Sequence, residues 1–403
     1  MFIPGRIEIL GKHTDYCGGR SIVCAIDRGF RSHVEPRGDS IVMLENVDSG
    51  ETVSFDLALE SVAPAGHWVN YAIEVGRRLT QNFANHQLNG ATIRFQSDLP
   101  KAAGLSSSSA LMIMVFAALE SVNELRETAA FRRNITSDLE LAEYLGCIEN
   151  GQSFRGLEGS SGVGTFGGSQ DHAAIMLCRA ESLSRFSFSP LAHESDFAFP
   201  EEFAFVVASS GVAAEKTGAA REHYNRVSRM VSEITESIGN GRTLAQTIDE
   251  TGIDKLRSVI RNREFSFTTG ELLDRVEQFR VENCEIIPAV SELLAAGEID
   301  KIGDLIDLSQ KNAEHFLGNQ IEETVFLQRR ARDIGAIAAS AFGAGFGGSV
   351  YVIVRNSDAE YFRFEWRRRY LESFPQHSES SEFFITRPSQ ASLTGSVFYS
   401  QPF

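Results

Sequence analysis

The segment LPKAAGLSSSSALMIMV (residues 99–115) constrains the fold most, because a loop of small residues and four serines runs directly into an apolar helical pattern. Backbone N–H groups in the first turn of a helix lack intrahelical partners and carry partial positive charge, so such a loop can surround phosphate oxygens. It is not a Walker A loop, since the lysine of GxxxxGK[ST] is missing. A plain serine cap is the commoner role of such a motif. The segment therefore predicts a loop followed by a helix and leaves both roles open.

The rest of the chain alternates between strand and helix patterns, which indicates a mixed α and β protein. Strands are predicted at 6–10, 21–26, 40–44, 52–57, 91–96, 171–178, 203–210, in the second part of 340–354, and at 383–387. Helices are predicted at 67–79, 109–122, 138–149, through most of the region up to residue 335, and at 359–371. A chain of 403 residues is long enough for two domains. We place the boundary near 195–200, which gives domains of residues 1–195 and 196–403.

Composition argues against several classes of partner. A formal charge of −16 and a pI near 5.1 do not suit nucleic acid or an anionic membrane, both of which attract basic surfaces. The sequence has neither a bilayer-length apolar run nor the pattern of a signal peptide. Five scattered cysteines suggest neither a disulfide framework nor a zinc site. We expect a cytoplasmic protein, monomeric or weakly dimeric, without nucleic-acid or membrane partners.

Two acids stand beside glycine-rich turns and are the candidates for metal and proton chemistry. Glu149 ends a predicted helix before the glycine-rich and serine-rich segment 151–168, and Asp171 opens a predicted strand after it. Metal-assisted phosphoryl transfer needs an acidic Mg²⁺ ligand and a carboxylate near the acceptor hydroxyl. A second glycine loop, GAGFGGS (343–349), is of a kind whose backbone contacts a ligand or another loop. Either acid alone could be an ordinary surface residue.

Three segments together resemble the galactokinase branch of the GHMP kinases. They are PGRIEILGKHTDYCGG (4–19), LPKAAGLSSSSAL (99–111) and GAIAASAFGAGFGGSVYVIV (335–354). The resemblance implies a two-domain α/β (α+β) GHMP kinase fold with the active site in the cleft between the domains. The N-terminal domain would resemble ribosomal protein S5, and the C-terminal domain would be ferredoxin-like.

The resemblance also implies roles for individual residues. Arg6 would offset charge on the transferred phosphoryl group, and Asp171, in GGSQD, would be the catalytic base. Sugar-binding residues would come from the signature and from two later positions, and they are Lys12, His13, Thr14, Asp15, Gly168 and Tyr224. ATP would lie against the phosphate loop, which consists of Ala102, Ala103, Gly104, Leu105, Ser106, Ser107 and Ser108. Ser108 and Glu149 would hold Mg²⁺.

Several positions depart from the family pattern. Lys12 replaces a glutamate that accepts a hydrogen bond from the C6 hydroxyl of galactose, and Glu8 replaces an asparagine. Lysine only donates, so Lys12 would suit a C6 carboxylate such as that of galacturonate. The alternative places it at the pocket rim, solvated or paired with Glu8 or Asp15. Ala102 and Ala103 stand where the family has glycines, and the segment 151–168 is either a lid or surface.

The expected activity is ATP-dependent phosphorylation of the anomeric hydroxyl of galactose, giving galactose 1-phosphate and ADP. Two alternatives remain open. One is a related sugar 1-kinase acting on galacturonate or arabinose, and the other is a non-catalytic sensor of sugar and ATP. The chain also starts almost at the signature, which suggests a true start upstream.

Overall fold

The computed structural model describes residues 1–64, 66–83, 88–214, 218–239 and 241–391, except for the side chains of residues 218–221, 223 and 224. In the described residues, two β-sheets follow one another along the chain, and each is packed against helices. None of the described helices is long and apolar enough to cross a membrane. The predicted irregular tail after residue 388 falls mostly on residues 392–403, which are outside the description.

The first sheet comprises the strands of the N-terminal half. They are β1 (Phe2–Leu10), β2 (Arg20–Pro36), β3 (Ile41–Asn46), β4 (Glu51–Asp56), β5 (Ala91–Ser97), β6 (Ser182–Ser187) and β7 (Ala192–Ala198). Their order is β4-β3-β5-β2-β6-β7, with β1 paired to β2. The β3–β5 pair is parallel and the other pairs are antiparallel. β1 carries Arg6 and Glu8 beside the long central strand β2.

The second sheet comprises β8 (Phe203–Ser209), β9 (Ala338–Phe342), β10 (Ser349–Arg355) and β11 (Glu382–Thr386). It is antiparallel in the order β11-β8-β10-β9. Helices separate β8 from β9 and β10 from β11, so the connection is the βαββαβ of a ferredoxin-like sheet, as expected. The turn between β9 and β10 is the glycine loop 343–348.

Thirteen α-helices occur in the described part of the chain. They are α1 (Val69–Asn82), α2 (Ser107–Asn123), α3 (Ala129–Asn134), α4 (Asp138–Asn150), α5 (Gln170–Leu177), α6 (Gly218–Ile238), α7 (Leu244–Thr251), α8 (Ile253–Asn262), α9 (Thr269–Val281), α10 (Ile287–Ala295), α11 (Gly303–Asn312), α12 (Glu322–Ile334) and α13 (Ala359–Ser373). Single π-helical turns at Glu282–Ile286 and Ala313–Leu317 extend α9 and α11. α2 is apolar on all sides, and it is buried among α1, α4, α5 and the first sheet, as such a helix must be.

The prediction of a strand at 171–178 is wrong. Residues Gln170–Leu177 form the helix α5, whose residues from His172 to Met176 are buried against α4 and the strands β1 and β2. The apolar run at 173–178 is only six residues long, and such a run has the same pattern in a buried strand and in a short buried helix, so periodicity does not separate them. As a result, Asp171 lies in the first turn of a helix. Strands β6, β7 and β9 also lie outside the predicted segments.

The last described residues return to the first sheet. Ile26 and Pro388 form an isolated antiparallel bridge, Ser389 N–H donates to the Ala25 carbonyl at 2.9 Å, and Ala391 N–H donates to the Cys178 carbonyl at 3.1 Å. The chain passes from the first sheet to the second between Ala198 and Phe203. A domain boundary near residues 195–200 is compatible with this path and stays a prediction.

Candidate active site

A pocket lies where β1 and the turn after it, the ends of α4 and α5, and the β9–β10 loop meet. Its lining residues are Arg6, Glu8, His13, Asp15, Tyr16, Glu149, Asn150, Thr165, Gly167, Gly168, Gln170, Asp171, Gly343 and Ala344. They come from segments of both sheets. The pocket therefore brings the signature, both candidate acids and the second glycine loop to one place.

Arg6 joins three of these segments. Its Nε and Nη2 atoms each lie 2.8 Å from Asp171 Oδ1, and its Nη1 atom donates to the Gly104 carbonyl. The backbone N–H of Arg6 donates to the Leu105 carbonyl at 3.2 Å. Arg6 is only 3% exposed, so the ion pair is charge-assisted and poorly screened. Strand β1 thus holds the phosphate loop and the candidate base in a fixed arrangement.

Asp15 and Gly168 pack directly against each other. A Cβ atom on Gly168 would lie 2.4 Å from Asp15 Oδ2, so only glycine fits beside this carboxylate. Asn150 fixes the adjoining turn, because its Oδ1 accepts from Gly167 N–H at 2.7 Å and its Nδ2 donates to the Gly168 carbonyl at 3.2 Å. Asn150 was assigned no role of its own from the sequence, although it follows Glu149 directly. The carboxylate of Asp15 and the backbone at Gly168 therefore face the pocket together.

His13 connects the signature to the second glycine loop. Its Nε2 lies 3.2 Å from the Ala344 carbonyl and its Nδ1 lies 2.9 Å from Tyr16 Oη. A carbonyl only accepts, so Nε2 carries the hydrogen and, in the neutral ring, Nδ1 accepts from Tyr16. His13 has a φ of 56°, a left-handed conformation that is uncommon for a residue with a side chain. Tyr16 also lines the pocket and was missed, although it ends the motif GKHTDY.

Lys12 does not occupy either position expected from the sequence. It is 1% exposed, and Nζ donates to Ser340 Oγ at 2.7 Å and to Ser309 Oγ at 3.2 Å. Ser309 in turn donates to Glu282 Oε1 at 3.0 Å. The ammonium group therefore points into the C-terminal half, where it is neither solvated at the rim nor among the pocket-lining groups. Serine oxygens accept from lysine and satisfy it there.

Thr14 uses its hydroxyl group to stabilise the backbone of the turn rather than to face the pocket. Its hydroxyl donates to the Gly11 carbonyl at 2.9 Å and lies 2.6 Å from the Arg20 carbonyl. The residue is fully buried and is not among those that line the pocket. It closes the turn that carries His13 and Asp15.

The phosphate loop leaves the first turn of α2 available to an anion. Two carbonyl groups of the loop accept hydrogen bonds from the C-terminal half: Ala102 from Ala214 N–H at 2.8 Å and Ala103 from Ser349 Oγ at 2.6 Å. The Oγ of Ser106, just before α2, is buried and has no partner among the described residues. Free N–H groups and an unpaired hydroxyl at a helix start suit phosphate oxygens.

The two glycine-containing loops meet through their backbones. A Cβ atom on Gly343 would lie 3.1 Å from the Gly104 carbonyl, and one on Gly104 would lie 3.3 Å from the Phe342 carbonyl. Ala102 has a φ of 48°, so alanine holds a left-handed conformation where the family pattern has glycine. The methyl group is therefore accommodated at some backbone strain.

Glu149 lies in the pocket beside a serine, but the serine that contacts it is Ser109. Ser109 Oγ donates to Glu149 Oε2 at 2.8 Å, and His172 Nε2 lies 3.6 Å from the same oxygen. No group of three or more His, Cys, Asp and Glu side chains suited to a metal occurs in the described residues. Mg²⁺ commonly takes one or two carboxylates and completes its coordination with substrate phosphates and water, so this donor set fits it. The metal role of Ser108 stays a prediction.

Glu8 is a pocket residue whose chemistry the sequence did not reveal. It is 4% exposed, and its Oε2 accepts from Gln170 Nε2 at 2.6 Å, while Gln170 Oε1 accepts from Ser21 Oγ at 2.6 Å. Burial raises the pKa of Glu8 to about 7, against the opposing influence of Arg6 and Lys12. The only sequence signal was the departure from asparagine.

The segment 151–168 packs on α1 and reaches α6. Arg78 Nη2 donates to the Gln152 carbonyl at 2.6 Å, and Asn225 binds both Gly164 and the Phe166 backbone. The predicted sugar-binding Tyr224 lies on α6, but its side chain is outside the described part of the chain.

Comparison with known families and proteins gives a consistent result. The galactokinase galactose-binding signature matches residues 2–36, the GHMP kinases N terminal domain matches 70–178, and the GHMP kinases C terminal domain matches 290–372. Galactokinase of Thermococcus kodakarensis is 26% identical over 97% of this chain and 98% of its own length. Galactokinase of Roseiflexus sp. is 29% identical over 92% and 87%.

Solved structures show the same fold. Lactococcus lactis galactokinase complexed with galactose superposes with a TM-score of 0.77 at 21% identity, over 97% of this chain and 93% of that one. Methanococcus jannaschii mevalonate kinase gives a TM-score of 0.61 at 15% identity, over 97% and 98%.

The fold and the two matching domain models define a small-molecule kinase that uses ATP. The signature at residues 2–36 narrows the class further. The chain belongs to the galactokinase branch of the GHMP kinase family.

Proposed function

We propose that this protein transfers the γ-phosphoryl group of ATP to the anomeric hydroxyl of galactose, giving galactose 1-phosphate and ADP. The observation that carries the proposal is the buried pair between Arg6 and Asp171 at the junction of the signature and the phosphate loop. Catalysis of phosphoryl transfer rests mainly on positioning and electrostatics, and this pair supplies a cation and a carboxylate in one place.

Asp171 is the group that would receive or orient the proton of the acceptor hydroxyl. Its Oδ1 is bound to Arg6, and its side chain is 16% exposed in the pocket. The bound guanidinium fixes the direction of the carboxylate, which favours orientation of the hydroxyl in line with the phosphoryl group. Arg6 would at the same time offset negative charge that develops during transfer.

The nucleotide phosphates would lie at the start of α2, where the buried hydroxyl of Ser106 has no partner in the described part of the chain. Mg²⁺ would be held by Glu149 and a serine of the same turn, Ser108 by the family pattern. When bound, the metal neutralises charge on the phosphate oxygens. Ser109 would hold the Glu149 carboxylate in position through its 2.8 Å hydrogen bond.

The acceptor would be a neutral sugar. The carboxylate of Asp15 lines the pocket with His13 beside it and can accept from hydroxyl groups, whereas the argument for a C6 carboxylate depended on an ammonium group in the pocket. Lys12 is bound instead to Ser309 and Ser340. The structural reason for preferring galacturonate is therefore gone, and galactose is the expected acceptor.

The test is ADP release with galactose, galacturonate and arabinose, measured on the wild type and on Asp171→Asn. We expect turnover with galactose, and a decrease in kcat of about 10²–10⁴-fold in the variant with ATP binding retained, because only proton handling and orientation are lost. Asp333→Asn on α12, whose side chain is 54% exposed, is the control and should behave as the wild type. Full activity of Asp171→Asn, or a wild type that turns over galacturonate faster than galactose, would contradict the proposal.

A further inference from the structure

Glu8 places a carboxyl oxygen in the acceptor pocket without a partner. Its Oε1 is buried and has no hydrogen-bond partner among the described residues, while the residue lines the pocket that contains Arg6 and Asp171. Buried polar atoms are almost always hydrogen-bonded, and one left unpaired lowers stability. A ligand that donates a hydrogen bond to Oε1 would remove this cost.

The other carboxyl oxygen is held by a short relay. Ser21 Oγ donates to Gln170 Oε1 at 2.6 Å, and Gln170 Nε2 donates to Glu8 Oε2 at 2.6 Å. Ser21 and Gln170 are 0% and 4% exposed, so the relay is shielded from water. Because Oε2 is engaged in this way, the carboxyl group has a fixed orientation and Oε1 alone is available.

Thr165 lines the same pocket and also carries a buried oxygen atom without a hydrogen-bond partner in the described residues. It is 2% exposed. A hydroxyl both donates and accepts, whereas an ionised carboxylate only accepts. Two unpaired oxygens on one pocket match a polyhydroxylated ligand better than they match an apolar one.

We propose that Glu8 binds a hydroxyl group of the sugar acceptor through Oε1 and makes the pocket selective for neutral sugars. The inference rests on the proposed function and adds an acceptor-binding residue to it. An ionised Glu8 accepts a charge-assisted hydrogen bond from a hydroxyl and repels a carboxylate on the sugar. The signature residue that departs from the family pattern thus selects against the uronates.

The pH dependence of sugar binding provides an independent test of the role of Glu8. Burial raises its pKa to about 7, Arg6 and Lys12 lower it, the hydrogen bond from Gln170 lowers it, and Asp171 raises it. Tyr351, fully buried on β10, also faces this group. Glu8 is neutral below this pKa and ionised above it, so sugar binding strengthens as pH rises through about 7. The dependence should appear in kcat/KM, which reports on the free enzyme.

The experiment combines the Glu8→Gln variant with galactose and its 2-, 3-, 4- and 6-deoxy derivatives. We expect the variant to raise KM for galactose about 10-fold to 100-fold with a smaller change in kcat, since a hydrogen bond to a charged group is lost. For one deoxygalactose, which lacks the hydroxyl that contacts Glu8, wild type and variant should have the same kcat/KM. The rise of kcat/KM near pH 7 should be absent in the variant.

Two further measurements keep the test decisive if Glu8→Gln folds poorly. The wild type alone should lose its pH step near 7 with that same deoxygalactose, and Glu8→Asn restores the family residue as a second variant. Glu120→Gln is the matched control, because Glu120 is 8% exposed, has a pKa raised by burial and lies at the far end of α2. It should change neither KM nor the pH profile.

An equal penalty for Glu8→Gln with all four deoxy sugars, or a pH profile that this variant leaves unchanged, would overturn the inference. These results leave wild-type turnover of galactose intact. A wild type that phosphorylates neither galactose nor any of its derivatives would instead refute the proposed function. The two failures are therefore distinguishable.

Discussion

Reversing the charge of Lys12 tests whether this signature residue supports the fold or contacts the sugar. Its ammonium group donates hydrogen bonds to Ser309 and Ser340. The serine hydroxyls in turn donate to other acceptors, Ser309 to Glu282 and Ser340 to Gln310. The network therefore has a direction that runs from lysine to the acceptors. A carboxylate at position 12 needs donors, but both serine hydrogens are already used.

The size of the effect follows from these contacts. Lys12→Met, which is similar in length, loses two hydrogen bonds from a charged donor but leaves both serines with an acceptor. We expect a decrease in the free energy of unfolding of about 2 kcal/mol, because relief from burying the charge offsets part of the loss. Lys12→Glu adds a second buried negative charge near Glu282 and reverses the direction of the network. We expect a loss of about 4 kcal/mol, within the range for an uncompensated buried charge.

Urea unfolding of the two variants, with kcat/KM for galactose measured on the folded fraction, is the assay. Lys301→Glu is the control, since Lys301 is exposed and pairs with Glu298 at the surface, and its change should stay within about 0.5 kcal/mol. A Lys12→Glu variant that is as stable as the wild type would refute a structural role for this lysine. A gain in kcat/KM for galactose without loss of stability would place the side chain in the sugar pocket.

Two other substitutions test the contacts of the pocket. Gly168→Ala should raise KM for the sugar at least tenfold and leave ATP binding unchanged, because its Cβ would lie 2.4 Å from Asp15 Oδ2. Gly38→Ala is the control, since a Cβ atom there would have no heavy atom within 4 Å. Equal KM values for the two variants would contradict the close packing of Gly168. Ser109→Ala should raise the Mg²⁺ concentration needed for half-maximal rate several-fold, because Glu149 loses the hydrogen bond that Ser109 donates at 2.8 Å. A Mg²⁺ titration that matches the wild type would show that Ser109 does not position the Glu149 carboxylate.

Local patterns in the sequence predicted most of the fold. The long apolar helix, its serine-rich start and the strand at 203–210 are each visible in the sequence as a local run of similar residues, and the structure confirms all three. The strand prediction at 171–178 failed because the six apolar residues 173–178 carry too little periodicity to distinguish a helix from a strand. Its actual conformation depends on packing against β1 and β2, which are far away in the chain.

Site residues could be predicted where a local sequence motif identifies them, but not where their role depends on contacts with residues far away in the chain. Arg6 and Asp171 were identified from two motifs, and the structure places them in contact. The surroundings of Lys12 depend on Ser309 and Ser340, about three hundred positions away, and no local pattern announces those contacts. Glu8 was noticed as a departure, but its free oxygen depends on the relay through Gln170.

The return of residues 388–391 to the first sheet bears on how a substrate enters. The C-terminal half leaves the first sheet after Ala198 and is fastened to it again by the backbone bonds of Ser389 and Ala391. Side-chain hydrogen bonds that cross between the halves, such as those from Lys12 to Ser309 and Ser340, hold them together as well. Wide separation of the halves is thereby restricted. We therefore expect substrate entry and release to need movement only of the pocket-lining loops, such as those that carry Gly167 and Gly168 and Gly343 and Ala344.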